Sequence, residues 1–218
     1  MILIGLTQRV DTSPFGERRD ALDQAWTRFI HALGAEPIPL PNLSAIKGIE
    51  ISAIAKWLEV YPVDAVVLTG GNTPLFRGYS GPVSDIAHER DSLESFLLRQ
   101  LPNQGIPVVG VCRGLQMINI FYGGTLAKVS EHIACRHRLC RTSDSPLLPL
   151  ETNSYHNYAV MHKDLAPCLK ALSWSDDGVI EALRHKTKPV AAVMWHPERE
   201  TPFVDEDLVC FRKWLGIE

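Results

Sequence analysis

Cys112 sits in Gly110-Val111-Cys112-Arg113-Gly114, with a glycine two residues before it and two after. An apolar run, residues 108–111, precedes it. A helical pattern, residues 114–122, follows with Leu115, Ile118 and Tyr122 at helical spacing. Glycines at those two positions suit a sharp strand-to-helix turn, where side chains beside the nucleophile would clash. A thiol on such a turn stands at a helix N-terminus, whose positive end favours the thiolate. The pattern points to a nucleophile rather than to a buried structural cysteine. A thiol nucleophile needs a base. Of the eight histidines, His196 directly follows the apolar run 190–194, in Trp195-His196-Pro197-Glu198. It is therefore expected at a strand end, the same kind of location as Cys112. Glu198 lies close enough to accept a hydrogen bond from the second ring nitrogen and fix the tautomer. Acyl transfer also needs two N–H donors for an oxyanion. The amide of Arg113 is one. The second is expected from Gly70-Gly71, at the end of the apolar run 63–69.

The elements that must position these groups alternate along the chain. Residues 2–6 read as a strand, and turn residues Asp11, Ser13, Pro14 and Gly16 mark a loop. Residues 19–33 read as a helix closed by Gly34, 36–40 as a strand, and 46–60 as a helix with Ile51, Ile54 and Leu58 inward. Strand 63–69 leads into a long loop, 72–83, and then a helix over 84–100. This βα alternation predicts an α/β fold with a mostly parallel, doubly wound sheet. Between 123 and 154 the pattern weakens into expected hairpins and loops. A short strand is expected at 159–161, paired strands at 178–183 and 189–194 around a turn, and a closing helix over 205–215. No repeat or linker divides residues 1–218, so a single domain is expected.

Composition narrows the function. Twenty-two basic against 25 acidic residues leave a formal charge of −3, with no nucleic-acid footprint and no basic membrane patch. No apolar run reaches the length of a membrane span and no signal-peptide pattern opens the sequence, so a cytoplasmic location is expected. Five irregularly spaced cysteines argue against a disulfide framework. His132, Cys135, His137 and Cys140 are zinc-ligand types, but their spacing is too compressed for a finger or ribbon. No metal and no cofactor are expected. Arg136, His137, Arg138 and Arg141 form either a basic rim for an anionic leaving group or a solvated charge run. The helices over 46–60 and 84–100 each offer a face for a homodimer.

Thr69-Gly70-Gly71, Gly110-Val111-Cys112-Arg113-Gly114-Leu115-Gln116 and Trp195-His196-Pro197-Glu198 together resemble the class I glutamine amidotransferase-like proteins, in order and rough spacing, over nearly the whole chain. The resemblance implies a flavodoxin-like three-layer sandwich with a small antiparallel extension. It also implies a Cys112–His196–Glu198 triad with oxyanion donors at Gly71 and Arg113. Arg113-Gly114-Leu115 after the cysteine, Asn153-Ser154-Tyr155-His156-Asn157, Asp177-Gly178-Val179-Ile180-Glu181-Ala182 and Arg90-Asp91 with Glu94 resemble the γ-glutamyl hydrolase branch, peptidase C26. Synthetase-linked members usually have Leu-Gly-His or Phe-Gly-His there instead. That branch implies a small-molecule γ-glutamyl amide as substrate, with γ-glutamyl-CDP-amidate and γ-glutamyl-GABA as the two candidates. The alternative is a glutaminase subunit that supplies ammonia to a separate synthetase. Gly70, Gln116, Arg77, Asn153, Ser154, Tyr155 and His156 are the candidate substrate-binding residues. The sequence departs from the branch after Gly71, where Asn72-Thr73 stand in place of a nearby Asp, and the loop there is trimmed.

Overall fold

Strands β5 (Ala65–Leu68) and β6 (Val108–Val111) carry apolar side chains at every position except Gly110, and every one of these residues is buried. A strand with no polar face must be covered on both sides. Side chains alternate across the sheet accordingly. Val66, Leu68 and Val108 join one core, and Val67, Val109 and Val111 join the other. Three helices cover the first core: α2 (Ser52–Val60), α3 (His88–Gln100) and α4 (Arg113–Phe121), through Ile54, Leu93, Leu97, Leu115 and Ile118. The second is covered by α1 (Ala25–Leu33) and α5 (Asp205–Leu215), through Trp26, Phe29, Ile30, Phe211 and Leu215. The result is three layers, as expected. The computed structural model describes residues 1–42, 52–143, 145 and 147–217, so the first part of the helix expected over 46–60, with Ile51, lies outside the described residues.

The remaining strands of the main sheet are β1 (Leu3–Thr7), β4 (Glu36–Leu40), β8 (Ile133–Arg141), β9 (Glu151–Tyr155), β11 (Leu169–Ser175), β12 (Ile180–His185) and β13 (Val190–Val193). Nine strands run in the order β4-β1-β5-β6-β13-β12-β11-β8-β9. The first five are mutually parallel, and each pairing from β13 to β9 is antiparallel. Two small sheets accompany it: the hairpin of β2 (Arg9–Thr12) with β3 (Arg18–Ala21), and β7 (Ala127–Lys128) with β10 (Tyr158–Ala159).

Three expectations change. The loop around Ser13 is the tip of the β2–β3 hairpin, and residues 18–21 pair with β2 rather than opening a helix. Helix α1 starts only at Ala25, where the Asp23 carboxylate accepts from the Ala25 N–H (2.9 Å). Helix α3 starts at His88, because Ile86 is extended and bridges to Thr73 after a single 3₁₀ turn at Val83–Asp85. β11, which pairs with β12 and β8, has no counterpart among the expected strands; it fills the antiparallel half of the sheet. Among the described residues, no helix is long and apolar enough to cross a membrane.

Candidate active site

β6 delivers Cys112 and β13 delivers His196, and these two strands are parallel neighbours with Val111 opposite Val193. The register brings both strand ends to one edge of the sheet. Cys112 is the N-cap of α4, with φ 51° and ψ −102°. That conformation is costly for a residue with a side chain, and such strain collects at functional sites. Its N–H is donated to Val193 O (2.9 Å), which ties the turn to the His196 strand. Both flanking glycines are required by close approach. A Cβ on Gly110 would lie 2.5 Å from the Gly114 carbonyl carbon, and one on Gly114 would lie 2.2 Å from Leu68 O. The glycine spacing thus reflects a packing constraint that runs from β6 and α4 across to β5.

His196 is nearly fully buried, and its Nδ1 lies 2.7 Å from Glu198 Oε1. The Asn153 side chain grips its backbone, with Oδ1 accepting from His196 N–H (2.8 Å) and Nδ2 donating to His196 O (2.9 Å). The preceding Trp195 donates its indole N–H to buried Asp207 of α5 (2.9 Å). The ring itself rests on Gly70, where a Cβ would come within 2.6 Å of its Cε1. Burial alone would push His196 down. The charges of the Cys112 thiolate and the Glu198 carboxylate, together with their hydrogen bonds, outweigh it and raise His196 from 6.5 to about 10. The imidazolium is thus favoured over the neutral ring. Its contribution to stability is complete below pH 6.5 and is lost as pH rises through about 10. Activity that needs the imidazolium should fall on an alkaline limb near pH 10, and Glu198→Gln should move that limb to lower pH. A pH–kcat profile of the two proteins checks this, and an unmoved limb would contradict the assigned cause.

The Gly70-Gly71 loop is held from below by a buried charge network. Arg90 and Glu94, one turn apart on α3, are both completely buried. Arg90 donates to the carbonyls of Thr69 (2.6 Å), Gly70 (2.9 Å) and Gly71 (2.5 Å). Because a trans peptide points its N–H opposite to its C=O, binding the Gly70 carbonyl turns the Gly71 N–H to the other side of the loop. Glu94 accepts from Arg90 Nε (2.9 Å) and Thr7 Oγ1 (2.8 Å), and from the Arg113 guanidinium. Arg113 also pairs with Asp91 (2.5 Å). Burial lowers Arg90 to about 10, with the like charge of Arg113 adding to the effect and Glu94 opposing it. Burial works to raise Glu94, but Arg113 and Arg90 hold it below the usual carboxylate value. The Arg113 side chain is thus an internal strut, while its backbone belongs to the turn. The resemblance singled out Arg90, Asp91 and Glu94 without a role. Their common task, joining α3, the glycine loop and the Cys112 turn, appears only in three dimensions.

A cleft of about 540 Å³ opens over Cys112 and His196. Gly71, Gln116, Tyr155 and His156 line it, and so do Tyr79, Lys128, Tyr158 and Arg199, which the sequence does not single out. Gln116 Nε2 donates to Tyr158 O (2.7 Å). Tyr155 packs edge-on to His196 (5.8 Å) and lies under the Arg199 guanidinium (4.7 Å). Four expected binding residues lie outside this lining, and one of them, Gly70, packs against the His196 ring. Asn153 brackets the His196 backbone, and buried Ser154 hydrogen-bonds His132 O (2.9 Å). Arg77 is on its loop, outside the lining of the cleft. The basic rim expected from the sequence is also displaced. Arg136 is paired with Glu151 (2.9 Å) and Glu200 (2.7 Å), and the cationic side chains in the cleft lining besides Arg113 are Lys128 and Arg199. Lys128 lies in the segment with the weakest pattern, and Arg199 follows Glu198 directly. Only the second carries a signal, its adjacency to the His196 motif.

The chain is 28% identical to the γ-glutamyl-CDP-amidate hydrolase of Campylobacter jejuni over 218 residues, 99% of this chain and 98% of that protein. It is 25% identical to a glutamine-hydrolyzing GMP synthase component of Methanocaldococcus jannaschii, over 88% of this chain and 90% of that one. A solved Thermoplasma acidophilum structure, described as a component of GMP synthase, shares the fold with a TM-score of 0.68 at 20% identity, covering 100% of this chain and 94% of that one. The model of the peptidase C26 family matches residues 2–198, a span that holds the turn at Cys112, the glycine loop and His196 with Glu198, and the chain belongs to that family.

Proposed function

We propose that the protein is a γ-glutamyl amide hydrolase acting through a thioester on Cys112. The observation that carries this reading is the meeting of a strained cysteine turn with a buried His196–Glu198 pair in one cleft. The Cys112 thiolate attacks the γ-carbonyl carbon of the substrate. The N–H groups of Arg113 and Gly71 receive the oxyanion. As the tetrahedral adduct collapses, the His196 imidazolium gives its proton to the leaving nitrogen, the C–N bond breaks and the acyl thioester remains. Neutral His196 then takes a proton from water, and the resulting hydroxide attacks the thioester. Glutamate leaves and the thiolate–imidazolium pair is restored. Glu198 keeps the ring in the required tautomer throughout. Gln116, its amide nitrogen tied to Tyr158 O, lines the same cleft.

For the leaving group we propose a nucleotide-linked amine, as in γ-glutamyl-CDP-amidate. Support comes from the near full-length similarity to the Campylobacter hydrolase and from Lys128 and Arg199, two cations in the cleft lining. A cytoplasmic location follows from that substrate class. Glutamate release from a panel of γ-glutamyl amides with nucleotide, GABA, polyamine and polyglutamate leaving groups tests it. Lys128→Ala should raise KM for the nucleotide substrate about ten-fold, the scale of one charged hydrogen bond, and leave γ-glutamyl-GABA turnover unchanged, and Arg199→Ala should raise the same KM. Equal effects on both substrates would contradict the assignment. The second reading, a glutaminase working within a larger synthetase, is favoured by the similarity to the GMP synthase component. It requires low activity alone and stimulation by a synthetase, which the same panel would reveal.

A further inference from the structure

A second group of chemically capable side chains meets where β8, β9 and β12 come together. His132 precedes β8, His137 lies within it, His156 follows β9 and Glu181 is on β12. Glu181 is completely buried and His156 nearly so. Neither oxygen of Glu181 and neither ring nitrogen of His156 has a hydrogen-bond partner, and the same is true of His137 Nε2. Their contacts are ion pairs without hydrogen-bond geometry, of His137 and His156 with Glu181, and buried polar atoms held in that way call for a physical reason. Two of these nitrogens converge on one oxygen: His137 Nε2 and His156 Nε2 lie 3.3 and 3.6 Å from Glu181 Oε1. Two ligands bound at about 2.0–2.1 Å to a tetrahedral ion stand roughly 3.4 Å apart. The ligand atoms of His132, His156 and Glu181 all lie within 4.8 Å of one another.

The surroundings fit as well. His132 Nε2 is 2.9 Å from Asp177, whose carboxylate can fix the ring, and Nδ1 lies 3.4 Å from the Ser154 hydroxyl, a contact that an ion on Nδ1 would replace. Metal-binding histidines commonly carry such an outer carboxylate. We propose that His132, His156 and Glu181, with His137 beside them, bind a single divalent transition-metal ion of the zinc class, the class that imidazole and carboxylate donors suit. The cysteines that stand out in the sequence do not take part. Cys135 Sγ donates to Glu131 O (3.2 Å), and Cys140 is exposed. The ligands come from the ends of β8 and β9 and from β12 rather than from one compact motif. An ion there would fasten the β8–β9 edge to β12, and β9 carries the Asn153 that grips His196. The proposal does not depend on the Cys112 chemistry.

The test uses full-length, tag-free protein stripped with a chelator and then given zinc or cobalt(II). The expected results are one ion per chain by elemental analysis, a higher Tm with zinc, and the intense visible bands of four-coordinate cobalt. Glu181→Gln, close in shape to the native side chain, should weaken binding at least about ten-fold, and the Cys135→Ala/Cys140→Ala double variant should bind as wild type. If Glu181→Gln does not fold, His137→Gln, at a position 17% exposed, serves in its place and should alter the cobalt spectrum. Wild-type protein with no stoichiometric ion and an unmoved Tm would overturn the proposal. So would an ion lost in the cysteine variant and kept in Glu181→Gln.

Discussion

Cys112→Ala should lower glutamate release by about 10⁴-fold or more while leaving the thermal transition close to wild type. Cys112 is the only thiol among the described residues that line the cleft, so the loss falls on kcat. The fold should survive because the turn is held by its neighbours: Cys112 N–H on Val193 O, Gly114 against Leu68 O, and Arg113 on Glu94. Cys112→Gly sharpens the result. At φ 51° a side chain is strained, and glycine relieves that strain. The glycine variant should therefore be inactive yet more stable than the alanine variant, by about 1 kcal/mol in urea unfolding. Turnover retained in either variant would remove the thioester from the mechanism.

The second large effect concerns Glu94. Its carboxylate neutralises two guanidinium groups, Arg90 and Arg113, whose side chains are 0% and 1% exposed. Glu94→Ala leaves two like charges buried without their shared partner, a change that typically costs about 3–5 kcal/mol. For a chain of this size that corresponds to a fall in Tm of roughly 6–20 °C. Activity of the folded fraction should fall too, because Arg90 holds the carbonyls of the glycine loop. Asp91→Asn should be milder, since Asp91 is 18% exposed and water can replace its contact with Arg113. Thermal unfolding of both variants decides the matter. A Glu94→Ala shift as small as that of Asp91→Asn would mean that the arginines find solvent on their own.

What is legible in the sequence is local. β6, the turn and α4 show in one continuous stretch because burial on both faces demands an apolar run and the turn demands glycines. α5 is legible from end to end because it is amphipathic throughout. The β2–β3 hairpin escapes notice because Arg-Val-Asp-Thr and Arg-Arg-Asp-Ala pair mainly through their backbones and have little apolar face to betray them. β8 is obscure for a related reason: it is largely exposed, so its nine residues carry no core pattern. At the site, His196 and Glu198 can be found because they are two residues apart. Lys128 and the Arg90–Glu94–Arg113 network cannot, since their partners are brought in from other strands and helices. Charge and position alone favour Arg77 for the cleft; the fold leaves it outside the lining.

The placement of the glycine loop, Cys112 and His196 at the ends of β5, β6 and β13 has a consequence for the life of the polypeptide before it is complete. These strands are adjacent in the sheet, yet β13 follows β6 only after 78 intervening residues, 112–189. As the chain leaves the ribosome, the thiol and the glycine loop emerge well ahead of the imidazole. A nascent chain that ends before β13 has Cys112 without His196, and β6 lacks the neighbour that receives the Cys112 N–H. Competence is thus conferred late and at one stroke, when β13 slides in between β6 and β12.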